Sequence, residues 1–367
     1  VLKAKRYELY PVIGAHYYPW YGKQSNLILG GGNWESGIAH TPRLGSYSSE
    51  NREIIKEHVQ YARKAGIDFF MLEWTGPGLD EDLIIREHCI PVFESMRMPF
   101  CITYDSYFTL HKTETTLSWD LSEKYDSLRT KGAKMGEDFK YLLKNYFSHP
   151  QYYTIHQRPV VFIFLAYRYR DSEGYLKKIR TVEGMPDGGP FLIGDMVPAY
   201  TKSSLPNFHD IVSYLWNTPL SGICPRVFRS WFHPLERSVF ITSDLDALSG
   251  YNLLNLDNHV LDTYDGVMKN LKKQAVQLKK NWIPFVFPGY DDRNLRGENR
   301  ERYCIDRGRH GEFYAEILRK GMTYTDPSLG MIIITSFNEW HEGTEIEPSI
   351  ESGYLFLDIT SEIVQKT

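Results

Sequence analysis

The sequence predicts an α/β fold, a single (β/α)8 TIM barrel over residues 1–367, and two observations carry that expectation. Short apolar runs of strand length alternate with helix-length segments, the pattern of a parallel sheet. The long insertions (18–47, 105–130, 217–261 and 290–310) follow strands, the end of a barrel at which functional loops gather.

Val12–Tyr17 reads as the first strand, and Glu50–Ala65 as a helix with Ser48 or Ser49 as its cap. Ile67–Trp74, helix Glu81–Met96 and strand Pro99–Tyr104 follow, then a long loop and helix 133–147. Pro159–Leu165 is almost continuously apolar, as a strand buried on both faces requires. Pro190–Met196 and Ile211–Trp216 are the expected fifth and sixth strands, with little room for a helix between them. In the expected helix 262–281, Met268, Leu271, Ala275, Leu278 and Trp282 recur at helical spacing, and its lysines form a solvated outer face. Ile283–Phe287, helix Glu312–Gly321 and Met331–Ser336 complete the pattern.

A hydrophobic content of 42% suffices for a large core, and a net charge of −4 argues against a nucleic-acid partner. The aromatic share of 14% suits a cleft that stacks on sugar rings. Cys89, Cys101, Cys224 and Cys304 are scattered and read as buried thiols. There is no transmembrane-length apolar run and no signal peptide, and the compartment stays open between cytoplasmic and secreted with a leader removed. His58, His88, His310 and His341 lack metal-ligand spacing, Gly30-Gly31-Gly32 leads into no helix, and no nucleophile elbow occurs, so neither a metal nor a cofactor is expected.

The densest chemistry lies at 335–348, where an apolar strand ends in Asn338-Glu339-Trp340-His341-Glu342-Gly343-Thr344-Glu345-Ile346-Glu347. Glu339 and Glu342 are the candidate catalytic pair, since glycoside cleavage needs one group to protonate the leaving oxygen and another to manage charge at the anomeric carbon. A barrel would bring other strand-end residues to the same mouth as substrate contacts: Tyr18, Trp20, Glu73, Trp74, Asp105, Tyr167, Trp216, Tyr290, Asp292, Asn338, Trp340 and His341. Competing readings exist: Glu339 and Glu342 in ion pairs with Arg293 or Arg296, and Glu73 and Asp105 as scaffolding at the mouth. Glu345 and Glu347 read as structural or solvated, His16 as a core histidine and Tyr17 as packing outward.

Three segments carry a family likeness: His16-Tyr17-Tyr18-Pro19-Trp20-Tyr21-Gly22, Phe287-Pro288-Gly289-Tyr290-Asp291-Asp292, and Asn338 to Thr344. Together they resemble glycoside hydrolase family 99, the endo-α-mannosidases and endo-α-mannanases, and the family-99-like group found in polysaccharide gene clusters. The resemblance implies a retaining, endo-acting hydrolase of an α-linked mannose-containing glycan that works through a 1,2-anhydro sugar. By motif position Glu339 would take the proton of the sugar 2-hydroxyl and Glu342 would be the general acid/base. It implies that Asn338 and His341 hold substrate or orient carboxylates, and that Tyr18 and Tyr290 line the subsite beside the bond broken. The chain departs from the family after Asp292, where Arg293-Asn294-Leu295 stands in place of an arginine soon followed by Pro-Trp. A carbohydrate-binding or glycan-assembly protein, and a transglycosylase, are the alternative expectations on the same barrel.

Overall fold

The computed structural model describes residues 11–22, 34, 37–111, 119–196, 244–251, 260–295 and 304–366. Its centre is a parallel sheet of β1 (Val12–Tyr17), β2 (Phe69–Trp74), β3 (Phe100–Tyr104), β4 (Arg158–Ile163), β5 (Phe191–Asp195), β6 (Ala247–Ser249), β7 (281–286) and β8 (Met331–Ile334). Each strand pairs in parallel with the next, and β8 returns to β1 in the register Val12↔Met331 to Ala15↔Ile334. β7 closes the ring in two pieces. Asn281–Trp282 pairs with β6 and Phe285–Val286 with β8, while Pro284, lacking an N–H, interrupts the strand between them.

Strand parity sorts the side chains. His16, Glu73, Thr103 and Phe162 face inward, whereas Tyr17, Phe70 and Trp74 face the helices. Gly14 makes room for an interior ring: a Cβ there would sit 2.4 Å from Phe69 Cζ. The surrounding layer contains α1 (Arg52–Ala65), α2 (80–96, with a π turn at Ile85–Cys89), α3 (Ser106–His111), α4 (131–147), α5 (Tyr175–Arg180), α6 (Val260–Gln277), α7 (Glu312–Thr323) and α8 (Leu355–Lys366). Asn51, not Ser48 or Ser49, caps α1 by accepting from Glu53 N–H, and Gly66 ends the helix at φ +80°.

Further expectations need correction. The sixth place in the barrel belongs to Ala247–Ser249, while 211–216 lies outside the described residues. Helix α6 stops at Gln277, and Trp282, whose spacing fits the helix, belongs to β7 because Lys279 turns the chain at φ +56°. Cys89 and Cys101 are buried, but Cys304 is exposed in a short antiparallel pair with Asp291, and Cys224 lies outside the described residues. No helix among the described residues is long and apolar enough to cross a membrane.

Asp246 fastens the end of the barrel opposite the mouth. It accepts from Arg158 at 2.8 Å through both oxygens, from Arg180 at 2.8 Å and from Leu192 N–H at 2.8 Å. Burial alone would raise its carboxyl, but the hydrogen bonds from Arg158, Leu192 and Arg180 hold it below 3.8. The stabilisation is therefore present above the ordinary carboxylate range and lost as pH falls through the depressed value. Asp246→Asn is expected to lower stability by about 1–3 kcal/mol at neutral pH, a deficit that shrinks in denaturant titrations repeated at progressively more acid pH.

Candidate active site at the barrel mouth

Beyond β8 the chain folds into a tight loop. Glu339 N–H donates to Ser336 Oγ at 2.8 Å, Thr344 N–H to the Glu339 carbonyl at 3.2 Å, and Ser336 N–H to the Thr344 carbonyl at 2.7 Å. Gly343 sits at φ +60°, where a Cβ would meet Ala39 Cβ at 2.9 Å. The loop is tied to the end of β1 by Asn338, whose Oδ1 accepts from Tyr18 N–H at 2.7 Å and whose Nδ2 donates to the Tyr18 carbonyl at 3.1 Å. Trp340 N–H donates to Tyr21 Oη at 2.9 Å.

The loop's four glutamates divide into two kinds. Glu347 is buried, accepts from Tyr47 Oη at 2.8 Å and Trp340 Nε1 at 3.2 Å, and meets His58 Nε2 at 3.1 Å. Glu345 meets Arg307 and, at 3.0 Å, His40. Burial would raise its carboxyl, and these two partners hold it low. Both are buried and structural, so of the two roles their sequence context leaves open, the solvated one does not hold. Glu339 differs: Oε1 accepts from His341 N–H at 3.1 Å, and Oε2 is buried without a hydrogen-bond partner among the described residues. Glu342 is half-buried and accepts from Tyr290 Oη at 3.3 Å, a hydroxyl shared with Asp292 at 3.0 Å. Arg293 is taken by Asp291 at 2.8 and 2.7 Å, and Arg296 lies outside the described residues.

The Tyr18 hydroxyl marks the point of convergence. It touches the Tyr251 hydroxyl, and its ionisation is pushed well up by burial and then by the charges of Glu73, Glu339 and Glu342. Tyr251 is affected in the same way by burial, Tyr18, Glu342 and Glu339. Glu73 and Asp105 stand at adjacent strand ends, each 4% exposed, close enough for each carboxyl to act on the other. Burial and then Asp105 drive the Glu73 carboxyl well up. Burial raises Asp105 to about 6, although Phe108 N–H and Glu73 bond to its anion. His16 lies against Phe162 and Tyr251 at 4.8 and 5.2 Å, held by Thr103 at 3.1 Å, and burial lowers it to about 3, so it is neutral.

The structure therefore gathers Tyr18, Glu73, Asp105, Tyr290, Asp292, Glu339 and Glu342, with Trp20 half-buried 4.6 Å from Tyr18 and His341 stacked 5.7 Å from Tyr21. Tyr167 stands part-buried in the turn after β4. Two expected substrate contacts are placed elsewhere. Trp74 follows inward-facing Glu73, so it points out of the barrel, fully buried, with Nε1 donating to Asp82 Oδ1 at 2.8 Å. Trp340 is fully buried, its Nε1 spent on Tyr47 and Glu347. Trp216 lies outside the described residues. Tyr251 and Tyr47 went unread. The available signal for Tyr251 was its place two residues after Ser249, a strand only three residues long.

A family model described as "Glycosyltransferase WbsX" matches residues 39–360. The chain belongs to the WbsX family. It is also a relative of glycoside hydrolase family 99 proteins: the glycoprotein endo-alpha-1,2-mannosidase of Rattus norvegicus is 26% identical over 323 residues, covering 86% of this chain and 57% of that protein. That of Mus musculus is 24% identical, again with 57% of its length covered, so the chain spans little more than half of these relatives. The uncharacterized protein WxcX of Xanthomonas campestris pv. campestris is 20% identical over 88% of this chain. Among solved structures, the GH99 endo-alpha-mannosidase of Bacteroides thetaiotaomicron superposes with a TM-score of 0.65 at 20% identity, covering 98% of this chain and 97% of the other. A glycoside hydrolase-like protein gives a TM-score of 0.66 at 18% identity, covering 97% of this chain and 94% of the other. These structural matches attest the barrel fold of this WbsX-family chain.

Because Asp105 is raised from 3.8 to about 6 in the folded state, the fold retains a proton that the unfolded chain has released. Stability from this pair falls as pH rises through that window, and Asp105→Asn is expected to flatten the dependence of the melting midpoint on pH there. Trp74→Phe leaves Asp82 short of a donor and is expected to cost about 1–3 kcal/mol in thermal unfolding, leaving glycan affinity unchanged.

Proposed function

We propose that this chain is a retaining, endo-acting glycoside hydrolase of an α-linked, mannose-containing glycan. The observation that supports this best is the convergence of Glu339 and Glu342 on the Tyr18 hydroxyl at the mouth of the barrel. The names of the relatives suggest the substrate class.

Glu339 keeps a carboxylate oxygen without a hydrogen-bond partner among the described residues, which suits a base waiting for a substrate hydroxyl. In the proposed first step it takes the proton of the sugar 2-hydroxyl while that oxygen attacks C1. Glu342 gives its proton to the departing glycosidic oxygen, so the C1–O bond breaks as the 1,2-anhydro ring forms. In the second step Glu342 takes a proton from water, the water oxygen opens the ring at C1, and Glu339 returns its proton to O2. Two inversions at C1 give net retention. Tyr290, donating to Glu342, and His341, whose N–H binds Glu339, orient the two carboxylates. Glu73 and Asp105 together offer a donor and an acceptor to hydroxyls of the same sugar. The family description favours a second reading, transfer of the glycosyl group to an acceptor sugar in place of water at the same carboxylates.

Incubation with α-mannan and glucosylated manno-oligosaccharides is expected to yield new reducing ends of retained configuration. Glu342→Gln should lower kcat by about 10²–10⁴, and a substrate lacking its 2-hydroxyl should resist cleavage. Longer products on adding an acceptor sugar would establish transfer, and absence of any cleavage or transfer by the wild type would overturn the proposal.

A further inference from the structure

Beside the mouth, the turns after β3 and β4 build a wall that the proposed reaction does not use. Trp119 packs against His111 at 4.4 Å and Tyr169 at 5.1 Å, and Tyr169 Oη donates to the Ser106 carbonyl at 3.0 Å, fixing the indole. The Arg168 guanidinium lies 4.9 Å over the Trp119 ring and 5.4 Å over Tyr167, with Nε donating to Tyr167 Oη at 3.0 Å. Phe164, four residues earlier, packs 5.0 Å from Tyr251, whose hydroxyl touches Tyr18. Ser106, whose hydroxyl donates to the Phe164 carbonyl and whose own carbonyl accepts from Tyr169, ties the wall to the carboxylate site.

Arg168 stands apart from the other buried or part-buried arginines among the described residues. Arg129, Arg158, Arg180 and Arg307 each pair with a carboxylate, at Asp126, Asp246, Asp246 and Glu345 respectively. Among the described residues no carboxylate forms an ion pair with Arg168, although two aromatic faces and a hydroxyl hold its plane. A guanidinium fixed in this way presents its remaining N–H groups as a planar fork, the geometry that fits a carboxylate or phosphate through two parallel hydrogen bonds. Flanking aromatic faces suit the apolar face of a sugar.

We propose that Arg168, with Trp119 and Tyr167, forms a subsite for an anionic sugar residue of the glycan, one carrying a carboxylate or a phosphomonoester. This deepens the reading of the barrel mouth as a glycan cleft and rests on it. The preferred substrate is then an acidic polysaccharide segment, the charged residue seated on Arg168 and the cleaved linkage lying at Glu339 and Glu342.

Calorimetric binding tests the proposal without relying on turnover. Neutral α-manno-oligosaccharides, the same oligosaccharides bearing a phosphomonoester, and oligouronates of matched length would be titrated into wild type, Arg168→Gln, Arg168→Lys and Trp119→Phe. One anionic series should bind wild type about ten-fold more tightly than the neutral series at low salt, and the series that does so identifies the anion. The advantage should shrink with added salt, vanish in Arg168→Gln and survive only in part in Arg168→Lys, which keeps the charge without the fork. Trp119→Phe should weaken both series, reporting the platform separately from the charge. Equal affinity for neutral and anionic oligosaccharides, or an anionic preference untouched in a folded Arg168→Gln, would overturn it. Cleavage of neutral mannan without anionic preference would sink this subsite alone. Selective anionic binding without cleavage would sink the hydrolase reading and leave the subsite standing.

Discussion

The paired hydrogen bonds between the Asn338 side chain and the backbone of Tyr18 are the constraint on which the site depends. They join residues 320 positions apart across the seam where β8 meets β1. A primary amide is suited to the task because it donates and accepts in one plane, as the peptide group it faces does. The bond fixes where β1 ends and therefore where the Tyr18 ring stands. It also fixes the start of the loop that carries Glu339 one residue later. A carboxylate at position 338 would lose the donor to the Tyr18 carbonyl and place another carboxylate beside Glu339 and Glu342. Asn338, which its motif suggests as a substrate contact, acts here by holding Tyr18.

Behind that bond, Glu347 gives the loop a buried anchor. A buried carboxylate is costly unless its oxygens are occupied, and Tyr47, Trp340 and His58 occupy them. Tyr17 in turn binds His58 at 3.0 Å, so a side chain on the outer face of β1 supports the carboxylate that holds the loop of Glu339 and Glu342. Glu345 is secured differently, by Arg307 and His40, and both attachments leave the backbone between Ser336 and Thr344 with little freedom. That rigidity permits Glu339 to keep, among the described residues, an unbonded carboxylate oxygen at the mouth, because the loop is held mainly by its neighbours.

Much of this was legible in the sequence, and the failures have physical causes. Long apolar strands such as Phe69–Trp74 and Met331–Ile334 announced themselves, as did the group of carboxylates following the last of them. Ala247–Ser249 did not, because three residues are too few to show a period, and the aromatic run at 211–216 drew the assignment away. Trp282 satisfied helical spacing by coincidence, since periodicity cannot see the turn at Lys279. Proximity along the chain misled for Trp74. A residue next to an inward-facing glutamate in a strand must face outward, and Asp82 holds it there. Trp340 misled for a related reason, as an indole within a polar loop can serve as the loop's own core. Tyr251 was hidden because it reaches Tyr18 only by virtue of a strand that composition does not reveal.

On the proposed reading, the division of charge between the floor and the wall of the cleft would give a bound glycan a direction. Asp105 and Glu339 supply the negative charge of the floor, since the Glu73 carboxyl is driven toward its protonated form and Glu342 carries the proton it is proposed to give, and burial strengthens the repulsion of any further negative charge. An acidic sugar placed over the floor would oppose the ionised base and raise the cost of forming it. The same sugar on Arg168 gains an opposite charge and a planar fork, at a site connected to the floor through Phe164 and Tyr251. Attraction at one point and repulsion at the other thus act in the same sense, and together they would set the register in which a charged glycan presents a neutral linkage to the two glutamates. Such an arrangement selects by position as well as by affinity, since a glycan shifted by one residue would lose the fork and meet the floor charges at once.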